Sequence, residues 1–393
     1  ATADAMTLGA AIGGQLASGS DNDYFKIQVD QPGVISVVFD APTNSSYTDF
    51  FNVSLLDASG NVIASHDTGK DITFQAAVVS SGSYYVKVDS NDYYFNSEQY
   101  KLTASVSSGT SGFELEPNNT FANAIQSGVA IRGQVATSTD LDWFFINVTE
   151  ASAIAVNFDA PTNNTYTDYF DVRLYDESGN LLASQVTGKD ITFNASAPVA
   201  GNYFVAITSG DYYHDSGQYA LTVTNTTSTV LYESEINNTN EQADSLALGA
   251  QIHGQLSSAT DEDRFAITLN SPGTINTIFD APTKSTWMDY FQISIYDQNG
   301  NLLSYRSSGS DLTVDTDVKT SGTYYVVVSA GDYYFNGGEY KLTVNAKLND
   351  PIPVGAIVGT PVGEKISGTA SDDVLYGLGG NDQIDGEAGV DTA

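Results

Sequence analysis

Acidic residues recur in short, fixed strings, and these are the places where this chain could do chemistry. Glu114 and Glu116 are spaced by one residue in E-L-E-P-N-N, with Asn118 just beyond; Glu233, Glu235 and Asn237 repeat the pattern in E-S-E-I-N-N. A second string, D-x-D-x-F, holds Asp21 and Asp23, Asp140 and Asp142, and Asp261 and Asp263. Two carboxylates spaced by one residue project to the same side of an extended segment. Grouped acids without a basic partner in sequence call for a cation, because close like charges oppose one another's ionisation. Calcium fits best, since it takes roughly six to eight oxygens from carboxylates, amides and backbone carbonyls. The bland reading of the same residues is solvated surface acids and turn formers.

A second set of strings mixes acids with aromatic rings. Tyr47 and Asp49, Tyr166 and Asp168, and Trp287 and Asp289 occupy matching segments, and D-Y-Y follows each, giving Tyr93 and Tyr94, Tyr212 and Tyr213, and Tyr333 and Tyr334. Tyrosines beside acids can stack on sugar rings or grip a peptide, so polysaccharide or an extracellular protein is a candidate partner. Packing in a core or along a sheet edge is the ordinary alternative. Catalysis has less support. His66, His214 and His253 occupy non-equivalent places, and neither G-x-S-x-G nor H-E-x-x-H occurs. The chain is therefore read as non-enzymatic, with no catalytic residues.

The elements that position these strings are repeated. F-D-A-P-T occurs at Phe39–Thr43, Phe158–Thr162 and Phe279–Thr283, at offsets of 119 and then 121, and the acid and aromatic strings keep the same offsets. D-x-x-G-N turns begin at Asp57, Asp176 and Asp297. Between such turns apolar residues alternate with polar ones, as in Phe144, Ile146 and Val148 or Tyr219, Leu221 and Val223. Period-two alternation in short runs split by Asp, Asn and Gly predicts half-buried antiparallel strands. The fold class is thus all-β, with three tandem jelly-roll-type antiparallel β-sandwiches at residues 1–105, 113–224 and 232–345. A linker at 346–367 and a glycine-rich tail at 368–393 complete the reading.

Composition narrows the partners. Of 393 residues, 14 are basic and 48 acidic, for a net charge of −34. Such a surface repels nucleic acid and anionic headgroups and favours cations. There are no cysteines, so disulfides and thiolate zinc sites are excluded. No apolar run is long enough to cross a membrane as a helix. The opening A-T-A-D-A-M-T-L-G-A lacks the basic start and apolar core of a signal peptide, and the chain is expected to be part of something larger or already processed.

The order E-x-E-P-N-N, D-x-D-x-F, D-x-x-G-N, G-x-Y-Y-V and Y-x-L-T-V resembles the bacterial pre-peptidase C-terminal domain and the collagen-binding domains of clostridial collagenases, over residues 1–345. That resemblance implies a non-catalytic accessory module. It also implies calcium held where the acidic segment meets the loop before D-x-F, by Glu114, Glu116, Asn118, Asp140 and Asp142 and by their third-repeat counterparts. The first repeat departs from the pattern and keeps only Asp21 and Asp23.

The tail is similar to the repeats-in-toxin β-roll. Gly377–Asp385 and Gly386–Ala393 follow the nonapeptide G-G-x-G-x-D-x-U-x, and Gly368–Tyr376 is a degenerate first copy. Asp373, Asp382 and Asp391 take the calcium-ligating position, while Leu375, Ile384 and Thr392 occupy or replace the apolar one. A short, incomplete parallel roll is expected. The resemblance implies type I secretion into a calcium-rich medium. The combined reading is a calcium-binding region of a large secreted or cell-surface bacterial protein, serving adhesion, attachment and rigid spacing. Two rivals are the accessory region of a secreted hydrolase, foremost a peptidase, and a purely structural rod, with further self-assembly open.

Overall fold

The computed structural model describes all residues except 1, 46–49, 91–94, 121, 211–212, 228–229, 286–289, 332–335, 349–354, 361 and 378–380. Among the described residues every regular element is a β-strand. The chain is all-β, as its alternating pattern predicts.

The strands form three pairs of sheets, then two short parallel ladders. In the first pair, a five-stranded sheet runs in the order Asp4–Ala5, Asn22–Val29, Gly82–Asp89, Phe51–Leu56, Val62–Thr68. Its companion runs Ile12–Gly14, Tyr100–Ser108, Gly33–Asp40, Ile72–Val78. The second pair orders Asn123–Ala124, Leu141–Val148, Gly201–Ser209, Phe170–Tyr175 and Leu181–Thr187 beside Ile131–Gly133, Tyr219–Thr226, Ser152–Asp159 and Ile191–Ala197. The third repeats this order with Asp244–Ser245 to Leu302–Ser308 and Gln251–Gly254 to Leu312–Val318, and adds Leu231–Tyr232 at one edge. Long strands are antiparallel, and apart from the hairpin across each D-x-x-G-N turn their hydrogen-bonded neighbours are distant in sequence, which is jelly-roll order. Each first short strand pairs in parallel instead, as Asn123 with Phe144 does.

Each pair encloses its own core. The F-D-A-P-T phenylalanine packs on the phenylalanine that opens the next strand: Phe39 on Phe51 at 5.1 Å between centroids, Phe158 on Phe170 at 5.0 Å, and Phe279 on Phe291 at 5.1 Å. Tyr100, Tyr219 and Tyr340 complete these clusters and are fully buried. Burial of each such ring contributes on the order of 2–3 kcal/mol. The D-x-x-G-N turns share one geometry. Asp176 Oδ1 accepts from the Ser178 and Asn180 amides at 2.8 Å each, and Gly179 supplies a φ of +84° that a side chain would resist.

The tail is built differently, as a parallel solenoid coil. Ile357–Val358 pairs with Leu375–Tyr376, and Lys365–Ser367 with Gln383–Asp385, both in parallel and eighteen residues apart. Ile366 and Leu375 are buried between the ladders. Two expectations are corrected here. The coil reaches back into 346–367, expected to be a linker: Glu364 stands nine residues before Asp373 and Ile366 nine before Leu375, so Gly359–Ser367 is a further copy, with a longer acid at the ligating position. At the far end the nine-residue period puts the apolar position at Ala393, whereas Thr392 lies in the backbone ladder, its amide donating to Asp373 O at 2.9 Å.

Candidate metal centres

The acidic strings become two buried clusters. The segment carrying Glu114 and Glu116 lies extended beside Ile131–Gly133, with the Glu114 amide donating to Arg132 O at 2.8 Å. Alternation along it sends Glu114 and Glu116 inward while Leu115 stays exposed. Asp142 reaches the same point from the start of Leu141–Val148. One carboxylate oxygen from each of Glu114, Glu116 and Asp142 lies within 4.8 Å of the others, and Glu233, Glu235 and Asp263 reproduce the cluster. The Glu116–Pro117 and Glu235–Ile236 peptides are both cis.

The environment makes these acids costly unless something neutralises them. Burial pushes the Glu114 and Asp142 carboxyls well above the usual range, with Glu116 reinforcing the first and Glu114 the second. Burial and then Asp140 push Glu116 up to about 7. In the second cluster, burial followed by Asp263 and Asp261 pushes Glu235 up to about 10. Glu233 and Asp263 are raised for the same reason.

Donors are present but too few. Tyr219 Oη donates to Asp142 Oδ2 at 2.7 Å, with Glu114 Oε2 at 3.2 Å, and the Gln134 amide donates to Glu114 Oε1 at 2.6 Å. Tyr340 and Gln255 act identically on Asp263 and Glu233. Both oxygens of Glu235, Asn237 Oδ1 and Asp263 Oδ1 nevertheless lie buried without a partner. Asn118 points to the same deficit. Its inward amide atom faces Glu116 Oε1 at 3.2 Å and Asp142 Oδ1 at 3.1 Å. As oxygen it meets only acceptors, an arrangement that a central cation would stabilise; as nitrogen it donates to both. A hard cation such as calcium fits this donor set of carboxylate and amide oxygens.

The structure separates other predicted ligands from this convergence. Asp140 and Asp261 close the loop before the strand: Asp140 Oδ2 accepts from the Ala136 amide at 2.7 Å, and Asp261 Oδ2 from the Ser257 amide at 2.7 Å. They border the clusters without joining them. In the first repeat Asp21 makes the same loop bond, to the Ala17 amide at 2.8 Å, while Asp23 accepts from Tyr100 Oη at 2.6 Å. No glutamates meet Asp23 among the described residues. In the tail, Asp382 Oδ1 accepts from the Glu364 amide at 3.0 Å and Asp391 Oδ1 from the Asp373 amide at 2.9 Å, so each acid ties successive coils. Asp373 Oδ2 accepts from the Thr369 hydroxyl at 2.9 Å.

Sequence reasoning missed three participants. Tyr219 and Tyr340 open the last strand and send their hydroxyls into the clusters. Gly133 and Gly254 form the floor: a Cβ at Gly133 would lie 2.2 Å from Tyr219 Oη and 2.6 Å from Glu114 Oε2. Gln134 and Gln255 follow them. The signal was available, since a G-Q pair recurs at Gly14, Gly133 and Gly254 in step with the other strings.

Of the aromatic strings, Tyr166, Asp168 and Tyr213 are described; Tyr47, Asp49, Tyr93, Tyr94, Tyr212, Trp287, Asp289, Tyr333 and Tyr334 lie outside the described residues. In the second sheet pair the two loops meet at one end, with the Tyr213 amide donating to Asp168 O at 3.2 Å. Tyr213 stacks on Tyr169 at 5.0 Å and sits 5.6 Å from Tyr166, a residue that is 62% exposed.

Residues 358–393 match the RTX calcium-binding nonapeptide repeat, in four copies. Solved structures similar to this chain include the pre-peptidase C-terminal domain of a Bacillus anthracis collagenase, at 21% identity and TM-score 0.23, covering 28% of this chain and 100% of that one. The tandem CBM51 modules of a family 98 glycoside hydrolase from Streptococcus pneumoniae are similar at 7% identity and TM-score 0.21, covering 56% of this chain and 84% of that one. A Clostridium perfringens ZmpB structure with an M60 catalytic domain and two CBM51 domains gives 8% identity and TM-score 0.20, covering 88% and 56%.

Proposed function

We propose that this chain is a calcium-binding, non-catalytic accessory region of a secreted or cell-surface bacterial protein, and that calcium fastens its modules in line while they attach to an extracellular polymer. The modules are assigned to residues 1–105, 113–224 and 232–345. The observation that carries this reading is the pair of buried triads, Glu114/Glu116/Asp142 and Glu233/Glu235/Asp263. Uncompensated buried carboxylates destabilise a fold, and a divalent ion relieves that cost.

Their location adds the mechanical role. Gln134 gives its backbone amide to Glu114 and its side-chain Nε2 to Ser65 O of the preceding unit at 2.8 Å. Gln255 does the same with Glu233 and with Ser184 O at 3.0 Å. Ala77 of the preceding edge strand bridges to Leu115, between the two glutamates. An ion that orders the acidic segment therefore also orders the surface on which the preceding unit rests.

The attachment surface assigned here is the Tyr166–Tyr169–Tyr213 cluster, and its ligand class is polysaccharide or a fibrous protein such as collagen. Thermal unfolding tests the calcium core of the proposal. Calcium should raise the melting temperature above its value in EDTA, and Glu114→Gln/Asp142→Asn should remove part of the rise. An unchanged melting temperature in the wild-type chain would reject it.

A further inference from the structure

Each junction between units is heterologous: a sheet edge of one unit meets the acidic face of the next. The receiving edge is small and neutral. In the first unit it presents Ser65, Gln75 and Ala77; in the second, at matching positions, Ser184, Asn194 and Ser196. Ser184 is 9% exposed, and its Oγ donates across the junction to Ser257 O at 2.7 Å. Asn194 Nδ2 donates across it to Glu339 Oε2 at 3.0 Å, and Gln75 O accepts from Gln218 Nε2 at 2.9 Å.

The third unit rebuilds these positions. Its edge carries Tyr305, Asp315 and Asp317 in the places of Ser184, Asn194 and Ser196. Ser304 Oγ is engaged within its own unit, 2.5 Å from Thr316 Oγ1. Asp315 and Asp317 are held along the edge by Asn276 and Thr274 at 2.7 Å each. Tyr305 is 53% exposed. Leu303 keeps the apolar character of Ile63 and Leu182 but lies 39% exposed, where those two are buried.

We propose that the third unit's outer edge, Leu302–Ser308 with Leu312–Val318, is a terminal cap that excludes a further unit of this kind and so blocks head-to-tail joining of one chain to another. A tyrosine ring has no room where Ser184 is enclosed. Two aspartates stand where Asn194 offers a donor and Ala77 a methyl group, and they place charge on a surface that is neutral at the two junctions. Heterologous contacts that do not close on themselves grow into open filaments, and repeat arrays end on polar outer faces for this reason. The first unit keeps the two glutamines used at the junctions. Gln15 and Gln99, the counterparts of Gln134 and Gln218, are both exposed. Gln15 Nε2 donates to Ser97 O at 2.5 Å, as Gln134 does to Ser216 O.

The test is the solution mass of the full chain by light scattering over a wide concentration range, in calcium. The wild type should remain at the mass of one chain, 41.7 kDa. The variant Tyr305→Ser/Asp315→Gln/Asp317→Ala should grow into oligomers with concentration. Adding Gln15→Ala and Gln99→Ala should return it to one chain. Circular dichroism and the single change Tyr305→Ser, which should show weaker growth, separate assembly from misfolding. Wild-type filaments that the edge changes do not affect, or a folded variant that stays at one chain throughout, would overturn the cap.

Discussion

At the residue scale, the centres consist of acids placed where acids are costly, and removing charge should expose that. Glu235→Gln removes the carboxyl that burial, Asp263 and Asp261 hold at about 10. In EDTA at about pH 8 the variant should melt higher than wild type, because the wild-type carboxylate must take up a proton on folding and the amide need not. In calcium it should melt lower, with affinity reduced at least about tenfold, or about 1.4 kcal/mol. A loss of stability in both conditions would mean the side chain is structural. Gly133→Ala offers a steric counterpart. Its Cβ would meet Tyr219 Oη and Glu114 Oε2, so calorimetry should find calcium binding at that centre weakened more than about tenfold while the third unit keeps its own. The acids themselves were legible because they recur in step. Tyr219, Gly133 and Gln134 were not assigned, because their roles depend on which strands become neighbours, and spacing alone does not state that.

pH acts on the same groups. Carboxyls raised in the fold bind more protons there than in the unfolded chain, so without calcium their stabilising effect is present below their unfolded values and fades as pH rises through the folded ones. For Glu116 and Glu235 that window runs from about 4.3 up to about 7 and about 10. His66 acts oppositely: burial lowers it to about 4, so its contribution is lost as pH falls from about 6.5 toward that value. Between about pH 7 and pH 9 the raised acids lose this stabilisation as they ionise. In EDTA the melting temperature should fall across that range, and in calcium it should hold or rise, since binding requires the deprotonated forms. Parallel curves in the two conditions would contradict the assignment.

At the element scale, each unit depends on a few aromatic contacts between strands distant in sequence. Phe158→Ala empties a fully buried site against Phe170 and Tyr219. It should cost about 3–5 kcal/mol, measured by denaturant unfolding of that unit, with calcium present. A cost under about 1 kcal/mol would show that the ring is not central to the core. Strand positions were readable from period-two alternation, as in Phe144, Ile146 and Val148. Sheet order was not, because alternation says which face is buried and not which strand lies alongside. The first tail coil was hidden for a chemical reason: Glu364 stands in for aspartate and Thr360 for glycine, so Gly359–Ser367 reads as loop until the ladder from Lys365 to Gln383 is seen.

At the scale of the whole molecule, the acidic balance, the two junction centres and the calcium-type tail act together. A chain of net charge −34 repels itself, and divalent ions bound at the junctions would counter that repulsion where one unit meets the next. The repeat offsets made the series of units visible in the sequence. They did not show that the acidic segment of one unit lies beneath the edge of the unit before it, because that follows from the Ala77–Leu115 bridge and the Gln134 and Gln255 hydrogen bonds.

The central claim is that the two buried triads bind calcium, and a calorimetric calcium titration of the full chain tests it most directly. The wild type should be compared with Asp142→Asn/Asp263→Asn, which leaves every tail acid in place. The account predicts that the variant loses bound calcium equivalent to both junction centres while the tail's binding persists. Equal stoichiometry and affinity in the two proteins would contradict it.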